Sequence, residues 1–474
     1  MSEKHLAVVV LAAGAGTRMK SSTPKVMHEL AGLPLLGHVL VTARELSPKF
    51  VIPVIRHEKE SIADYINTFF PGCTIAEQDE TPGTGRAVEC GLAALPADFN
   101  GAVVVTSGDV PLLNVGTIEA LLEEHLDNKS AATILTAVME DPTGYGRVVR
   151  HTDGSFDSIV EHRDANDDQL DILEVNAGIY VFDAAELRAA LAKVGTHNAQ
   201  GEKYLTDVAK ILVDEGKHVQ GLAVADNWEV AGINDRQQLS EVAAELNARI
   251  CQGWQLAGVS ILDPASTWID VTVEIGEDAT ILPGTYLHGL TSVGAGATVG
   301  PEVMAFDTQI GDGAHVVKAH ITGSRIGEGA SVGPFAYLRP GTDLGKDGKI
   351  GTFVETKNAQ IGEGTKVPHL TYVGDAVIGV HSNIGAGTIF ANYDGVHKHQ
   401  STIGSHVKTG AHNVFVAPIS IGDGAYTAAG SVIRRNVEPG ALGISVAPQK
   451  NLADWVLQKR PGSKAAEAAQ KANE

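Results

Sequence analysis

Along the first 235 residues, short runs of apolar, mostly β-branched residues alternate with segments whose apolar positions recur every three or four residues. Leu6–Ala12, Phe50–Ile55, 102–106, Ala132–Val138, 178–182 and 219–224 read as strands, and 35–46 and 117–126 read as helices. That alternation predicts an α/β domain over 1–235 with a mostly parallel sheet, whose ligands bind at the carboxyl ends of its strands. From Asp235 the apolar positions Leu239, Val242, Ala243, Leu246 and Ile250 form a single stripe. The stripe predicts a linker helix over 236–257.

After Gly258 the period becomes six. Ile326, Val332, Leu338, Leu344 and Ile350 follow at six-residue intervals, as do Phe415, Ile421, Thr427 and Ile433. Most such aliphatics precede a glycine, as in Ile275-Gly276, Ile310-Gly311 and Ile421-Gly422. A period of six fits neither a 3.6-residue helix nor a two-residue strand alternation. It predicts the flat faces of a three-sided coil, the aliphatic pointing inward and the small residue permitting the corner. One hexad cannot bury its own apolar side, so coils must stack. The expected β-helix spans 258–437. In the tail, 438–474, residues 451–459 read as a short helix carrying Trp455, and the polar, Ala/Lys-rich 460–474 is expected to be mobile.

Composition narrows the function. A hydrophobic content of 43% and a mean hydropathy of +0.02 fit a soluble globular chain. The formal net charge of −21 argues against nonspecific binding to nucleic acid or to an anionic membrane, both of which need a cationic surface. An anionic small substrate would therefore need a local basic cluster or a metal ion. The three widely separated cysteines make no CxxC pair, which fits a reducing compartment, and a cytoplasmic location is expected. The apolar run at 6–12 is short, follows Glu3 and leads into a glycine loop, unlike a signal peptide.

That loop, Leu11-Ala12-Ala13-Gly14-Ala15-Gly16-Thr17-Arg18-Met19, is followed by Pro24-Lys25. Its glycines let backbone N–H groups approach phosphate oxygens, and Arg18 and Lys25 add charge. It is not a dinucleotide fingerprint, since Met19 replaces the third glycine, nor a Walker loop. Asp109 ends an apolar run, a placement suited to an oxygen ligand for Mg²⁺, although a lone Asp there is more often a turn residue. The longer string continues through Gln78, Pro82-Gly83-Thr84-Gly85, Ser107-Gly108-Asp109, Tyr145-Gly146-Arg147, Glu161, Val175-Asn176-Ala177-Gly178, Tyr204-Leu205-Thr206-Asp207 and Gly232-Ile233-Asn234. In that order it resembles the sugar-nucleotide pyrophosphorylases, which join a sugar 1-phosphate to a nucleoside triphosphate and release pyrophosphate. The resemblance implies that Leu11, Ala12, Gly14, Lys25 and Ser107 bind the nucleotide and that Gln78, Gly83 and Thr84 read the uracil of UTP. Gly146, Glu161, Asn176 and Thr206 would hold the sugar, Asp109 and Asn234 would hold Mg²⁺, and Arg18 and Lys25 would stabilise charge at the α-phosphate.

The β-helix carries a second cluster: Tyr337-Leu338-Arg339, Glu355-Thr356-Lys357-Asn358, His369-Leu370-Thr371-Tyr372, Asn383-Ile384-Gly385-Ala386 and Asn392-Tyr393. A lone His on a repeat protein is more often a surface residue than a base. Charged and aromatic residues breaking the aliphatic-Gly punctuation nevertheless mark a binding groove. Both halves together resemble the bacterial bifunctional N-acetylglucosamine-1-phosphate uridyltransferases/glucosamine-1-phosphate acetyltransferases, which feed cell-envelope and peptidoglycan synthesis. The resemblance implies a left-handed β-helix, a homotrimer formed through it, and acetyl-CoA and UTP as co-substrates. It implies that His369 takes the amine proton during acetyl transfer, a role an imidazole pKa of ~6.5 suits. Arg339, Lys357, Tyr372 and Asn383 would bind glucosamine 1-phosphate, and Ala386, Asn392, Tyr393, Ala411, Ala429 and Lys450 acetyl-CoA. Two departures stand out: some relatives carry a Ser where Ala411 stands, and others an Arg where Val446 stands, a charge Lys450 could replace.

Overall fold

The run Leu6–Ala12 becomes the central strand of a nine-stranded sheet because each neighbour buries it from one side. It pairs in parallel with Phe50–Ile55 and with Ala102–Ser107. Beyond Phe50–Ile55 lies Ala76–Glu77, and beyond Ala102–Ser107 lie Glu174–Asp183, Ala132–Val138 and Val219–Ala223 in turn. Glu174–Asp183 runs antiparallel to both of its neighbours, so the sheet is mixed rather than all parallel. Alternate residues of the central strand enter different cores. Ala7 and Val9 pack with helices Thr84–Ala93, Ala184–Leu191 and Asp207–Asp214, and Leu6, Val8 and Val10 with Leu35–Glu45 and Val115–Asp127. Both faces are covered, as the continuous apolar runs require.

The computed structural model describes residues 5–474 and divides them into two units, one of 5–256 with Trp268–Val273 and one of 257–267 with 274–474. Glu3 lies outside the described residues. The predicted linker helix spans Arg236–Leu256. Its stripe packs Val242, with Leu239, Ala243 and Leu246, against Leu30, Leu35, Leu112 and Ile233.

The second unit is a parallel β-helix of the left-handed hexapeptide class. Seven strands from Ser260–Ile261 to Lys366–His369 form one face, and a seventeen-stranded sheet makes up the others. Inward aliphatics stack coil on coil: Ile275 on Val293, Val293 on Ile310, Ile310 on Ile326, then Leu344, Ile361 and Ile378. The glycine after each aliphatic has a different role from the one expected. A Cβ on Gly311 would lie 2.7 Å from the backbone of Glu328, and one on Gly327 2.6 Å from Gly345. These glycines admit the backbone of the next coil. The corner comes two residues later, at positions such as Asp278, Asp347 and His381, all with positive φ.

One coil is longer than the rest. Lys366 pairs with Asn383 seventeen residues on, but Asn383 pairs with Lys408, twenty-five residues on. The surplus forms a loop after Asn392, closed by a Tyr393–Lys398 bridge and by Asp394 accepting from the Val396 and His397 amides. Coil pairing also runs past 437, to Leu442–Gly443 against Tyr426–Thr427. The tail holds helices Trp455–Lys459 and Lys464–Asn473. The second occupies most of the segment expected to be mobile, and Ser463 caps it by accepting from the Ala466 amide.

Candidate active sites

The first site forms where the carboxyl ends of Leu6–Ala12 and Ala102–Ser107 meet. The glycine loop leaves one strand and Asp109 follows the other, and the Gly108 amide donates to the Leu11 carbonyl at 2.8 Å, locking the two ends together. Gly16 has φ +60, and a Cβ there would run into Lys25, so the glycine lets the loop close over that lysine. Lys25 Nζ donates to Asp109 Oδ2 and, at 3.0 Å, to Asn234 Oδ1. Arg18 donates to the same Asn234 oxygen at 2.8 Å. Four residues spread over more than two hundred positions thus share one point, and the Asn234 amide is fixed by Gln238 Oε1 at 2.8 Å.

Two clefts open on either side of Asp109 and Ser107. One, of about 370 Å³, is lined by Leu11, Ala12, Gly14, Lys25, Gln78, Gly83 and Thr84. In it Gln78 is buried, and its Nε2 donates to the carbonyls of Thr81 at 2.9 Å and Gly83 at 3.2 Å. A Cβ on Gly83, φ +115, would strike the backbone of Lys203. The Thr84 hydroxyl accepts from the Leu205 amide at 3.1 Å. The other cleft, about 300 Å³, is lined by Arg18, Gly146, Asn176 and Asn234 with Tyr145 and Gly178. Behind it the Thr206 hydroxyl donates to Glu161 at 3.1 Å. Burial pushes the Glu161 carboxyl above its usual pKa, against the pull of that hydrogen bond. Burial also raises the Tyr145 phenol, with the charge of Asp109 adding to it.

Asp109 and Asn234 offer two oxygens converging on a common cation, here the Lys25 ammonium. That arrangement fits Mg²⁺, which is commonly held by one or two protein oxygens with substrate phosphates and water supplying the rest. Among the described residues no group of three or more His, Cys, Asp or Glu forms an all-protein metal cage.

In the second unit Arg339, Lys357, Tyr372 and Asn392 fall on consecutive coils of one face. Arg339 donates to Glu355 at 3.1 Å. Asn392, only 7% exposed, donates to Asp375 at 2.5 Å and reaches the Tyr372 hydroxyl at 3.5 Å. The Lys357 ammonium is held below its usual pKa, first by its contact with Lys398, then by burial and the positive charges of Lys398 and Arg339. Burial alone would raise Asp375, but hydrogen bonds from Asn358 and Asn392 and the charges of Lys357 and Lys398 bring it below its usual value. Three cations (Arg339, Lys357, Lys398) against two carboxylates (Glu355, Asp375) leave an excess of positive charge, suited to a phosphate.

His369 is exposed and stands just before the corner at Leu370, φ 50, with Tyr372 just after it. The coil hydrogen bonds Gly387 N to His369 O, His412 N to Ala386 O and Gly430 N to Ala411 O put His369, Ala386, Ala411 and Ala429 in one column. The column sets three small side chains in line with His369 along successive coils. Asn383 lies elsewhere, on the face of Lys366 and Lys408, and Lys450 is exposed beyond the last coil. The Tyr393 side chain is 60% exposed and donates to Gly395 O at 2.6 Å.

Sequence reasoning missed Lys398, which reaches the cationic cluster at Lys357 because the surplus loop folds back. Its signal was the lapse of the hexads between Phe390 and Ile403. It also missed Arg56 and His57 in the first cleft. They follow strand Phe50–Ile55, whose end lies beside that of Leu6–Ala12.

The profile of the MobA-like NTP transferase domain matches residues 8–204. A bifunctional protein GlmU of Clavibacter sepedonicus is 56% identical, covering 98% of this chain and 94% of its own. That of Kineococcus radiotolerans is 56% identical over 99% and 95%. That of Leifsonia xyli subsp. xyli is 57% identical over 99% and 97%. With identity of that order running from the glycine loop through the last coil, the chain belongs to the bifunctional GlmU family.

Proposed function

We infer that the two units carry consecutive steps. The β-helix transfers acetyl from acetyl-CoA to the amine of glucosamine 1-phosphate, and the α/β unit transfers uridylyl from UTP to N-acetylglucosamine 1-phosphate. The observation that carries this reading is the convergence of Arg18, Lys25, Asp109 and Asn234 between two clefts, one suited to a nucleotide and one to a sugar phosphate. In uridyl transfer a sugar-phosphate oxygen attacks the α-phosphorus, the bond to the β-phosphate oxygen breaks, and pyrophosphate leaves. Lys25 and Arg18 supply positive charge where the negative charge grows. Asp109 and Asn234 would hold Mg²⁺, which when bound neutralises phosphate charge. Uridine is favoured because Gln78 spends its amide N–H groups on two backbone carbonyls and has only its oxygen left to offer. That acceptor complements the N3–H of uracil and opposes the N3 lone pair of cytosine.

In acetyl transfer the glucosamine nitrogen attacks the thioester carbon, His369 accepts the nitrogen proton, and the C–S bond breaks, the sulfur leaving as a thiolate that takes up a proton to give the CoA thiol. Arg339, Lys357 and Lys398 would neutralise the sugar phosphate, and the Ala386–Ala411–Ala429 column would accept the pantetheine arm. We also propose a homotrimer through the β-helix. The exposed, stacked rings of Phe335 and Phe353, continued by Leu370 along one edge, support burial against another copy. No disulfide joins Cys73, Cys90 and Cys251, and no described helix is long and apolar enough to cross a membrane. Both fit the cytoplasm, which we propose as its location.

The test gives the purified chain UTP with N-acetylglucosamine 1-phosphate, and separately acetyl-CoA with glucosamine 1-phosphate. Pyrophosphate from the first and free thiol from the second are expected. Pyrophosphate without thiol would reduce the β-helix to a regulatory or assembly module.

A further inference from the structure

Arg147 is 1% exposed and heads the largest wholly buried side chains among the described residues. None of its hydrogen-bond partners is a carboxylate. It donates to the Tyr145 carbonyl, reaches the Leu170 carbonyl at 3.4 Å and His162 Nδ1 at 3.5 Å, and its Nε has no partner. Its charge acts on the Asp141 carboxylate with no hydrogen bond between them. A buried cation lacking such a direct partner costs a fold several kcal/mol, and replacing buried ionic groups with apolar side chains of similar volume is often neutral or stabilising. Folding alone gives no reason for a guanidinium here.

One of its contacts, Tyr145, lies in a cleft wall, and a second, His162, follows Glu161, which adjoins Gly146 of that wall. Tyr145 and Gly146 line the sugar side of the first site, and the Gly146 carbonyl accepts from the Asn176 amide at 2.9 Å. His162 follows Glu161, the carboxylate bound by Thr206. Leu170 closes the short helix Asp167–Leu170.

We propose that Arg147 is a positioning residue for sugar-phosphate binding, resting on the reading above of that cleft as the sugar side. Its fork holds the Tyr145–Gly146 loop and the turn after Glu161 in register, and its buried charge adds positive potential behind the cleft wall toward an anionic sugar phosphate.

The test measures both KM values of uridyl transfer and the unfolding temperature of the α/β unit in the full chain carrying Arg147→Met or Arg147→Lys. Arg147→Met is expected to raise KM for N-acetylglucosamine 1-phosphate roughly tenfold to a hundredfold, as losing hydrogen bonds to a charged group does. The KM for UTP should hardly change, and Tm should stay level or rise. Arg147→Lys, which keeps the charge and loses the fork, should fall between. A Met variant whose two KM values rise together while Tm drops, or whose sugar KM does not move, would overturn the proposal. Asn176→Ala separates the two readings. If the sugar cleft is rightly assigned it raises the sugar KM whatever Arg147 does, and if it leaves that KM unchanged the cleft itself is misassigned.

Discussion

The α/β unit builds its site by convergence, the β-helix by interruption. Arg18, Lys25, Asp109 and Asn234 meet because a sheet brings distant strand ends together, and each is held by the others. In the β-helix every coil repeats the last, so a special residue is one that departs from the repeat: His369 above a column of alanines, and Lys398 on a surplus loop. A convergent site is lost when one member goes. A distributed one should lose binding piece by piece, with a single residue carrying the chemistry.

Substitutions can break that contrast. His369→Ala should cut thiol release roughly a hundredfold to ten-thousandfold, the range for losing a general base, with pyrophosphate release intact. Asp109→Ala should cut pyrophosphate release about a hundredfold to a thousandfold, the scale of removing one preorganised electrostatic group, with thiol release intact. Lys398→Ala should raise KM for glucosamine 1-phosphate roughly tenfold and leave kcat nearly unchanged, because Arg339 and Lys357 remain. If it abolished turnover, the distributed picture of the second site would fail.

Stability measurements sharpen the same comparison. Gly311→Ala should destabilise the β-helix by about 1–3 kcal/mol in denaturant melts, since its Cβ has no space beside Glu328. In the α/β unit, Glu161 has a folded-state pKa raised by burial. Its folded form binds more protons than its unfolded form between the two pKa values, so its contribution falls as pH rises through that window and stays unfavourable above it. Glu161→Gln should therefore melt higher than the parent at neutral pH, the gap closing as pH falls below the usual carboxylate range, while sugar binding weakens.

Much of this was legible in the sequence. Six-residue spacing from Ile326 to Ile350 fixes stacked coils because no other regular structure has that period. The ordered string from Leu11 to Asn234 marks one cleft because glycines and charges at strand ends have few other uses. What escaped depends on contacts that no local pattern encodes. Lys398 carries no motif of its own, and the extra coil length is what folds it against Lys357. Gly311 looked like a corner residue, but it lies where the next coil passes. Arg147 is one letter of a motif, and burial without a hydrogen-bonded carboxylate separates it from its neighbours. The helical 464–473 looked like a mobile tail because its composition is polar.

The central claim is that two independent sites act in sequence through a released intermediate. The most direct measurement supplies glucosamine 1-phosphate, acetyl-CoA and UTP to Asp109→Ala chains, to His369→Ala chains, and to an equal mixture of the two. Neither variant alone should form the nucleotide sugar at an appreciable rate, and the mixture should form it, because the acetylated product of one becomes the substrate of the other. A mixture as inactive as its components, with both variants folded, would contradict the account.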